Sequence, residues 1–278
     1  MTKLRIIRAA DYSDLSRKAA GIIAATVTVK PDSVLGLATG DSPVGVYNFL
    51  TDWYKNGYVD FSETTAFNLD EYRGLTRDAE QSYRLFMYKN LFSGINIPNE
   101  RRHIPDGVAS DPDAECLRYE RAIKSCGGID LQLLGIGHNG HIGFNEPGPA
   151  FVGDTHLVDL TESTIEANSR FFSKRSEVPV QAYTMGIRTI MSARKVLLIV
   201  SGEKKAEILR RAFFGDITPE VPASVLQLHG DFTLVADEAA LSLTSGDLLS
   251  RAAGDMSLRA AGDITSRAAG FTHEKAVK

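Results

Sequence analysis

The sequence has few cysteines and no long apolar run. Cys116 and Cys126 are its two cysteines among 278 residues, and neither belongs to a spaced Cys/His cluster. So few thiols in so long a chain argue against a disulfide framework or a cysteine-ligated metal. No stretch approaches the roughly 20 apolar residues of a membrane span, and the N-terminal apolar run is too short for a signal peptide. We therefore expect a cytoplasmic protein without a membrane partner.

The sequence also lacks an excess of basic residues. It has 31 Lys and Arg against 35 Asp and Glu, a formal net charge of -4. Nucleic-acid-binding domains are usually basic, so nucleic acid is not expected as a partner. This balance still permits a local basic pocket for a small anion. The hydrophobic fraction of 43% and charged fraction of 24% are ordinary for a globular protein with a substantial core.

Short apolar runs alternate with longer amphipathic stretches over residues 1–243. This alternation predicts a single α/β domain with an open, mostly parallel sheet and helices on both faces. Ligands of such sheets bind at the carboxyl ends of the strands. Predicted strands cover residues 4–7, 34–39, 64–69, 129–136, 156–160, 195–200 and 232–236. Predicted helices run from Asp11 to 29, from Ser42 as N-cap through 53, over 79–92 and 114–125, from Thr161 to 171, and from 203.

Residues 244–278 depart from this pattern. Three copies of an eight-residue unit begin at Gly246, Gly254 and Gly262. Three such units are too short to build a solenoid core, and a glycine every eighth residue interrupts a helix at roughly 1 kcal/mol each. We expect a weakly structured C-terminal tail.

A polar turn follows the predicted strand at 34–39. Gly40 permits a tight turn, and the backbone N–H groups of 40–42 at a helix start make a candidate phosphate or carboxylate site. The alternative is an ordinary strand-to-helix turn, and no Walker or dinucleotide motif is present. A carboxylate repels a phosphate, so this interpretation requires the Asp41 side chain to point away.

Charged residues also stand at the ends of three other predicted elements. Asp70 and Glu71 come at a strand end, where one carboxylate can act as a general base and the other can support it. Such pairs are also common on solvated turns. Arg170 ends a predicted helix and Lys205 begins one, so either cation can complete a phosphate clamp, although each taken alone fits a surface charge.

A glycine-rich loop at 135–148 follows the buried strand at 129–136. His141 and Glu146 are close enough in sequence to touch, and a carboxylate can fix the tautomer of an imidazole. His138 is the weaker candidate of the two histidines. The loop offers no nearby Asp or Cys ligand, so we expect no metal site.

Taken together, these segments resemble the glucosamine-6-phosphate deaminase (isomerase) family over residues 1 to about 240. The string Gly-His-Ile-Gly-Phe-Asn-Glu-Pro at 140–147 is the most specific match. The other matching segments lie at 36–40, 67–72, 167–172, 182–186 and 202–206.

The resemblance implies a Rossmann-like fold and conversion of glucosamine 6-phosphate and water to fructose 6-phosphate and ammonium, without a cofactor. It implies that Asp70 moves a proton between C2 and C1, and that His141, supported by Glu146, assists ring opening. Asn139 can orient His141 by hydrogen bonding. The implied phosphate cradle consists of Thr39, Gly40, Asp41, Ser42, Arg170 and Lys205.

The sequence departs from the family at three places. Asn139 stands where some members carry Asp, and Asp41 replaces a small residue in the phosphate loop. Hexameric members activated by N-acetylglucosamine 6-phosphate carry basic residues after Asn-Glu-Pro, whereas residues 151–158 contain no Lys or Arg. We predict weak or absent allosteric activation, and a monomer and a homo-oligomer both remain open.

Two other functions compete with this one. A sugar-phosphate lactonase of the same broad fold would also use a phosphate loop and a Gly-His loop, but the 142–147 continuation and the Asp70-Glu71 pair favour the deaminase. A sugar-phosphate sensor domain is the alternative outside catalysis, although no basic helix-turn-helix segment flanks this domain.

Overall fold

Short strands and helices alternate along the chain. The computed structural model describes residues 4–244. Its strands are β1 (Arg5–Ala9), β2 (Val34–Leu37), β3 (Thr65–Asn68), β4 (Asp70–Tyr72), β5 (Arg102–His103), β6 (Leu131–Leu134), β7 (His156–Asp159), β8 (Gln181–Thr184), β9 (Lys195–Val200) and β10 (Phe232–Asp237). Its α-helices are α1 (Tyr12–Val29), α2 (Asp41–Lys55), α3 (Tyr83–Met87), α4 (Pro112–Ser125), α5 (Glu162–Ser169), α6 (Ile187–Met191) and α7 (Ala206–Phe214).

Seven of these strands form the main sheet, in the order β1-β10-β9-β6-β2-β3-β5. Every neighbouring pair in it is parallel. Both faces of this sheet are buried. Alternate residues of β9 show this, since they pack into two different hydrophobic cores. Val196 and Leu198 join a core with Leu209 of α7, whereas Leu197 joins a core with Leu15 of α1. The predicted fold class, an open parallel sheet covered on both faces, is confirmed.

Capping residues explain where several helices begin. Asp11, Asp111 and Thr161 each accept a hydrogen bond from the backbone N–H three residues later, at α1, α4 and α5. The helix predicted to start after Ser42 instead starts at Asp41, with Gly40 at the N-cap. That prediction was wrong by two residues, because Gly40 has a φ of 92° and turns the chain directly into the helix.

The helix predicted over 79–92 ends where expected but begins four residues later, at Tyr83. Ser82 caps α3 by accepting from the N–H of Leu85, and a π-helical turn over Tyr88–Phe92 follows. The Glu71 carboxylate accepts the N–H groups of Tyr83 and Arg84, which fixes the helix start at this point. A tertiary contact therefore sets a boundary that local sequence does not define.

A second, antiparallel sheet was not predicted. Its order is β4-β8-β7, and it begins where the chain leaves β3, since Asp70 pairs with Thr184 of β8. This small sheet carries α5 and closes one side of the carboxyl edge of the main sheet. Strands β4, β5 and β8 and helix α6 had no counterpart in the predicted elements.

Two further sequence expectations concern membrane-spanning helices and the C-terminal tail. None of the helices within residues 4–244 is long and apolar enough to cross a membrane. The predicted tail lies outside the described residues except for Thr244, so its expected weak structure stays a prediction.

Candidate active site

A cavity of about 490 Å³ opens at the carboxyl edge of the main sheet. Its walls come from the segments that follow β2, β3, β6 and β9, together with α5. This is where parallel sheets place their ligands. Eight predicted site residues line it: Thr39, Gly40, Asp41, Ser42, Asp70, His141, Arg170 and Lys205. The other two, Asn139 and Glu146, lie behind His141 and contact it.

The turn between β2 and α2 presents the start of a long helix to the cavity. The N-terminus of an α-helix carries positive partial charge and unpaired N–H groups, which suit an anion. The Tyr12 hydroxyl steadies this turn: it lies 2.9 Å from the carbonyl oxygen of Asp41 and accepts the N–H of Gly45. Gly40 has a φ of 92°, a backbone angle that residues with a side chain rarely adopt. Crowding is not the reason for glycine here, because a Cβ would meet nothing within 4 Å.

Asp70 places a buried carboxylate in the cavity wall. Its side chain has no hydrogen-bond partner at Oδ1 among the described residues, and the residue is 6% exposed. Burial, followed by the negative charge of Glu71, raises the pKa of Asp70 to about 8. An unpaired carboxylate with a raised pKa is equipped to accept and return a proton.

Glu71 faces the opposite way. Its carboxylate accepts three backbone N–H groups, from Tyr72, Tyr83 and Arg84, each at 2.9 Å. These bonds connect β4 to the start of α3. They hold the Glu71 carboxylate away from the cavity, which Asp70 lines. Asp70 therefore lines the cavity and Glu71 does not, and the roles predicted for the two carboxylates stay predictions.

The glycine-rich loop holds His141 against a carboxylate. His141 Nδ1 lies 3.5 Å from Glu146 Oε2, the outer limit of a hydrogen bond. Asn139 connects the two residues, since its Nδ2 donates to Glu146 Oε2 at 2.7 Å and its Oδ1 accepts the N–H of His141 at 3.2 Å. A Cβ at Gly137 would lie 2.3 Å from the His141 ring, so only glycine permits this ring position.

Glu146 is held in its ionised form. Burial opposes ionisation, but the contacts with His141 and hydrogen bonds from Thr164 and Asn139 outweigh it and lower the pKa of Glu146 to about 2. The negatively charged Glu146 carboxylate therefore faces Nδ1 of the His141 ring. Thr164, on α5, is a site residue that sequence reasoning missed, because its partner is 18 residues away on another element.

Two cations line the cavity in the described part of the chain. Lys205 is half-buried, and its Nζ donates to the carbonyl oxygen of Ile136 at 2.8 Å. Burial lowers the pKa of Lys205. Arg170 is exposed at the cavity mouth, with Nη2 2.7 Å from Asp41 Oδ2. The Asp41 carboxylate thus points to Arg170.

Asp237, at the end of β10, supports the Lys205 segment and was also missed by sequence reasoning. It is buried, and it accepts the Ser201 hydroxyl and the N–H of Gly202, where φ is 91°. Ser201 lines the cavity. The sequence did offer a signal for Asp237, because it directly follows the strand predicted at 232–236, and ligands of parallel sheets bind at such strand ends.

The fold is that of a class of sugar-phosphate enzymes. The family model described as glucosamine-6-phosphate isomerases/6-phosphogluconolactonase matches residues 9–235. A glucosamine-6-phosphate deaminase of Lachnoclostridium phytofermentans is 59% identical over 232 residues, which cover 84% of this chain and 98% of the relative. One of Clostridioides difficile is 52% identical over 239 residues, 86% of this chain and 96% of the relative. The chain belongs to the glucosamine-6-phosphate deaminases of this family.

Solved structures agree with this assignment. A monomeric glucosamine-6-phosphate deaminase matches with a TM-score of 0.84 and 46% identity, covering 86% of this chain and 100% of the other. The 6-phosphogluconolactonase from Trypanosoma cruzi matches with a TM-score of 0.71 and 19% identity, covering 88% of this chain and 98% of the other. At that identity the likeness concerns the fold alone. The relatives above 50% identity favour the deaminase over the lactonase alternative.

Proposed function

We propose that this chain converts D-glucosamine 6-phosphate and water to D-fructose 6-phosphate and ammonium. The reaction needs a ring-opening proton transfer, a proton transfer between two neighbouring carbons and the hydrolysis of an imine. Acid–base groups suffice for each step, so the mechanism requires neither a metal ion nor a redox cofactor. One arrangement carries the proposal: Asp70, His141 and the β2–α2 turn line the same cavity.

The phosphate group anchors the substrate. The N–H groups at the start of α2 and the side chains of Thr39, Ser42, Arg170 and Lys205 form the cradle in this proposal. Binding energy from this remote group holds the reacting carbons in place without taking part in the chemistry.

His141 opens the pyranose ring. It takes the proton of the anomeric O1–H and delivers a proton to O5 as the C1–O5 bond breaks, which gives the open-chain aldehyde. The negative charge of Glu146 stabilises the imidazolium formed on the way. Asn139 keeps these two side chains in register.

Asp70 then carries the isomerisation. Its carboxylate removes the proton from C2 while the aldehyde oxygen O1 gains a proton, which gives an enolamine. It then returns the C2 proton to C1 while the nitrogen loses a proton, which leaves an imine at C2 and a hydroxyl group at C1. Water adds to C2 and the nitrogen departs as ammonia, protonated in water to ammonium, so that C2 becomes the ketone of fructose 6-phosphate.

Ammonia release from glucosamine 6-phosphate tests the proposal. The wild-type chain and Asp60→Asn should both release ammonia, because Asp60 lies outside the cavity. Asp70→Asn should not. Absence of ammonia with the wild type refutes the activity, whereas ammonia from both wild type and Asp70→Asn refutes only the role of Asp70.

A further inference from the structure

One ion pair crosses the mouth of the cavity. Asp41 belongs to the first turn of α2, and Arg170 immediately follows α5. Their side chains meet at 2.7 Å although 129 positions separate them in the chain. Both side chains line the cavity. The pair therefore joins the anion-binding turn to the helix carried by the small antiparallel sheet.

The pair occupies a cation that the substrate phosphate needs. Lys205, the other cation of the cavity, rests on a neutral carbonyl oxygen. Arg170 instead rests on a carboxylate, which is an anion like the phosphate that would replace it. Asp41 holds only the Nη2 arm of Arg170, so a phosphate at the start of α2 must displace Asp41 to take both arms of the guanidinium. The two anions also repel each other once they are close.

The pair is weak enough to be exchanged. The Arg170 and Asp41 side chains are 63% and 70% exposed, and exposed ion pairs contribute little to stability. A phosphate dianion carries more charge than a carboxylate and can accept both arms of a guanidinium. Arg170 also lies over the Phe171 ring, 4.5 Å from its centroid, a contact that does not involve Asp41.

We propose that Asp41 competes with the substrate phosphate for Arg170 and so lowers the affinity of the site for phosphate. The Asp41 carboxylate is then not a phosphate ligand, although its backbone N–H remains in the cradle. This inference rests on the proposed function, because it takes the bound anion to be the phosphate of the substrate.

The competition can be measured without catalysis by titrating the protein with inorganic phosphate at constant ionic strength. The measured quantity is the rise in Tm, which gives the phosphate concentration at half-maximal stabilisation. Asp41→Ser should reduce the half-maximal phosphate concentration about 3- to 10-fold, the size of one exposed ion pair together with the removed repulsion. The isosteric Asp41→Asn should act in the same direction. Arg170→Gln should raise the half-maximal concentration. In the double variant Asp41→Ser/Arg170→Gln, the effect of Asp41→Ser should shrink to about twofold or less.

Several results would overturn the proposal. A higher half-maximal concentration for Asp41→Ser means that the carboxylate positions Arg170 for phosphate. An equal effect of Asp41→Ser with and without Arg170 means that it acts by direct repulsion alone. A wild-type protein that phosphate does not stabilise has no such competition. Ammonia release, measured separately, distinguishes these failures from a failure of the deaminase activity.

Discussion

Replacing Asp70 with asparagine should abolish ammonia release and at the same time stabilise the fold above neutral pH. The pKa of Asp70 is raised to about 8 in the folded protein, from an ordinary value of 3.8. A group with a raised folded pKa contributes its full stability below the unfolded pKa and loses it as the pH rises through the folded pKa. The folded protein is therefore penalised progressively between about pH 4 and pH 8.

The size of the penalty follows from the shift. One pKa unit corresponds to about 1.4 kcal/mol, so ionisable Asp70 costs about 4 kcal/mol at pH 7 and somewhat more at pH 9. Asparagine is neutral at every pH and removes this cost. Its own buried amide lacks a hydrogen-bond partner, however, which destabilises the fold by about 1–3 kcal/mol. We expect a net gain of about 3–5 kcal/mol at pH 9, or about 6–10 °C in Tm for a domain of this size.

Thermal unfolding of wild type and Asp70→Asn from pH 5 to pH 9 measures this effect. The difference in Tm should grow with pH in favour of the variant. Asp60→Asn is the control of opposite sign: hydrogen bonds from Asn96 and Ser62 lower the pKa of Asp60, so its removal should slightly destabilise the protein at neutral pH. A Tm difference for Asp70→Asn that is flat or reversed with pH would refute the reasoning from burial.

Two further predictions concern the histidine loop and allosteric activation. His141→Ala should lower kcat by roughly 10²–10⁴, the usual effect of losing a general acid or base, and an unchanged kcat at saturating substrate would exclude that role. N-acetylglucosamine 6-phosphate should leave kcat/KM unchanged, because the carboxylate of Glu120 holds Thr155 in the segment after Asn-Glu-Pro and residues 151–158 contain no Lys or Arg. Activation by this compound in steady-state kinetics would contradict the prediction.

The sequence predicted the main sheet well because its strands are buried on both faces. The strand predicted at 195–200 matches β9 in full, since a continuous apolar run has a single interpretation in a parallel sheet. Strand β5, with two residues, and strand β8, which holds the polar Gln181 and Thr184, carry no such signal. Their pairing depends on partners far away in the chain.

The candidate site was predictable in its residues more than in its contacts. Asp70, His141 and the β2–α2 turn follow strands, and the topology of a parallel sheet brings strand ends together. The contacts of Thr164 with Glu146 and of Asp41 with Arg170 join segments separated by 18 and 129 positions. No local pattern encodes such contacts, because they depend on the small antiparallel sheet that supports α5.

The surroundings of Asp70 and Glu71 show how two adjacent carboxylates acquire different properties. Alternation along a strand sends the two side chains to opposite faces. Glu71 meets three N–H donors, which favour its charged form, while Asp70 meets a cavity wall that leaves Oδ1 without a donor. Burial outweighs these donors and raises the pKa of Glu71 to about 7. The negative charge of ionised Glu71 then adds to burial in raising the pKa of Asp70 to about 8. A base that is poorly stabilised before it reacts gains more by taking a proton from carbon, so the same burial that weakens the fold strengthens the proposed proton transfer.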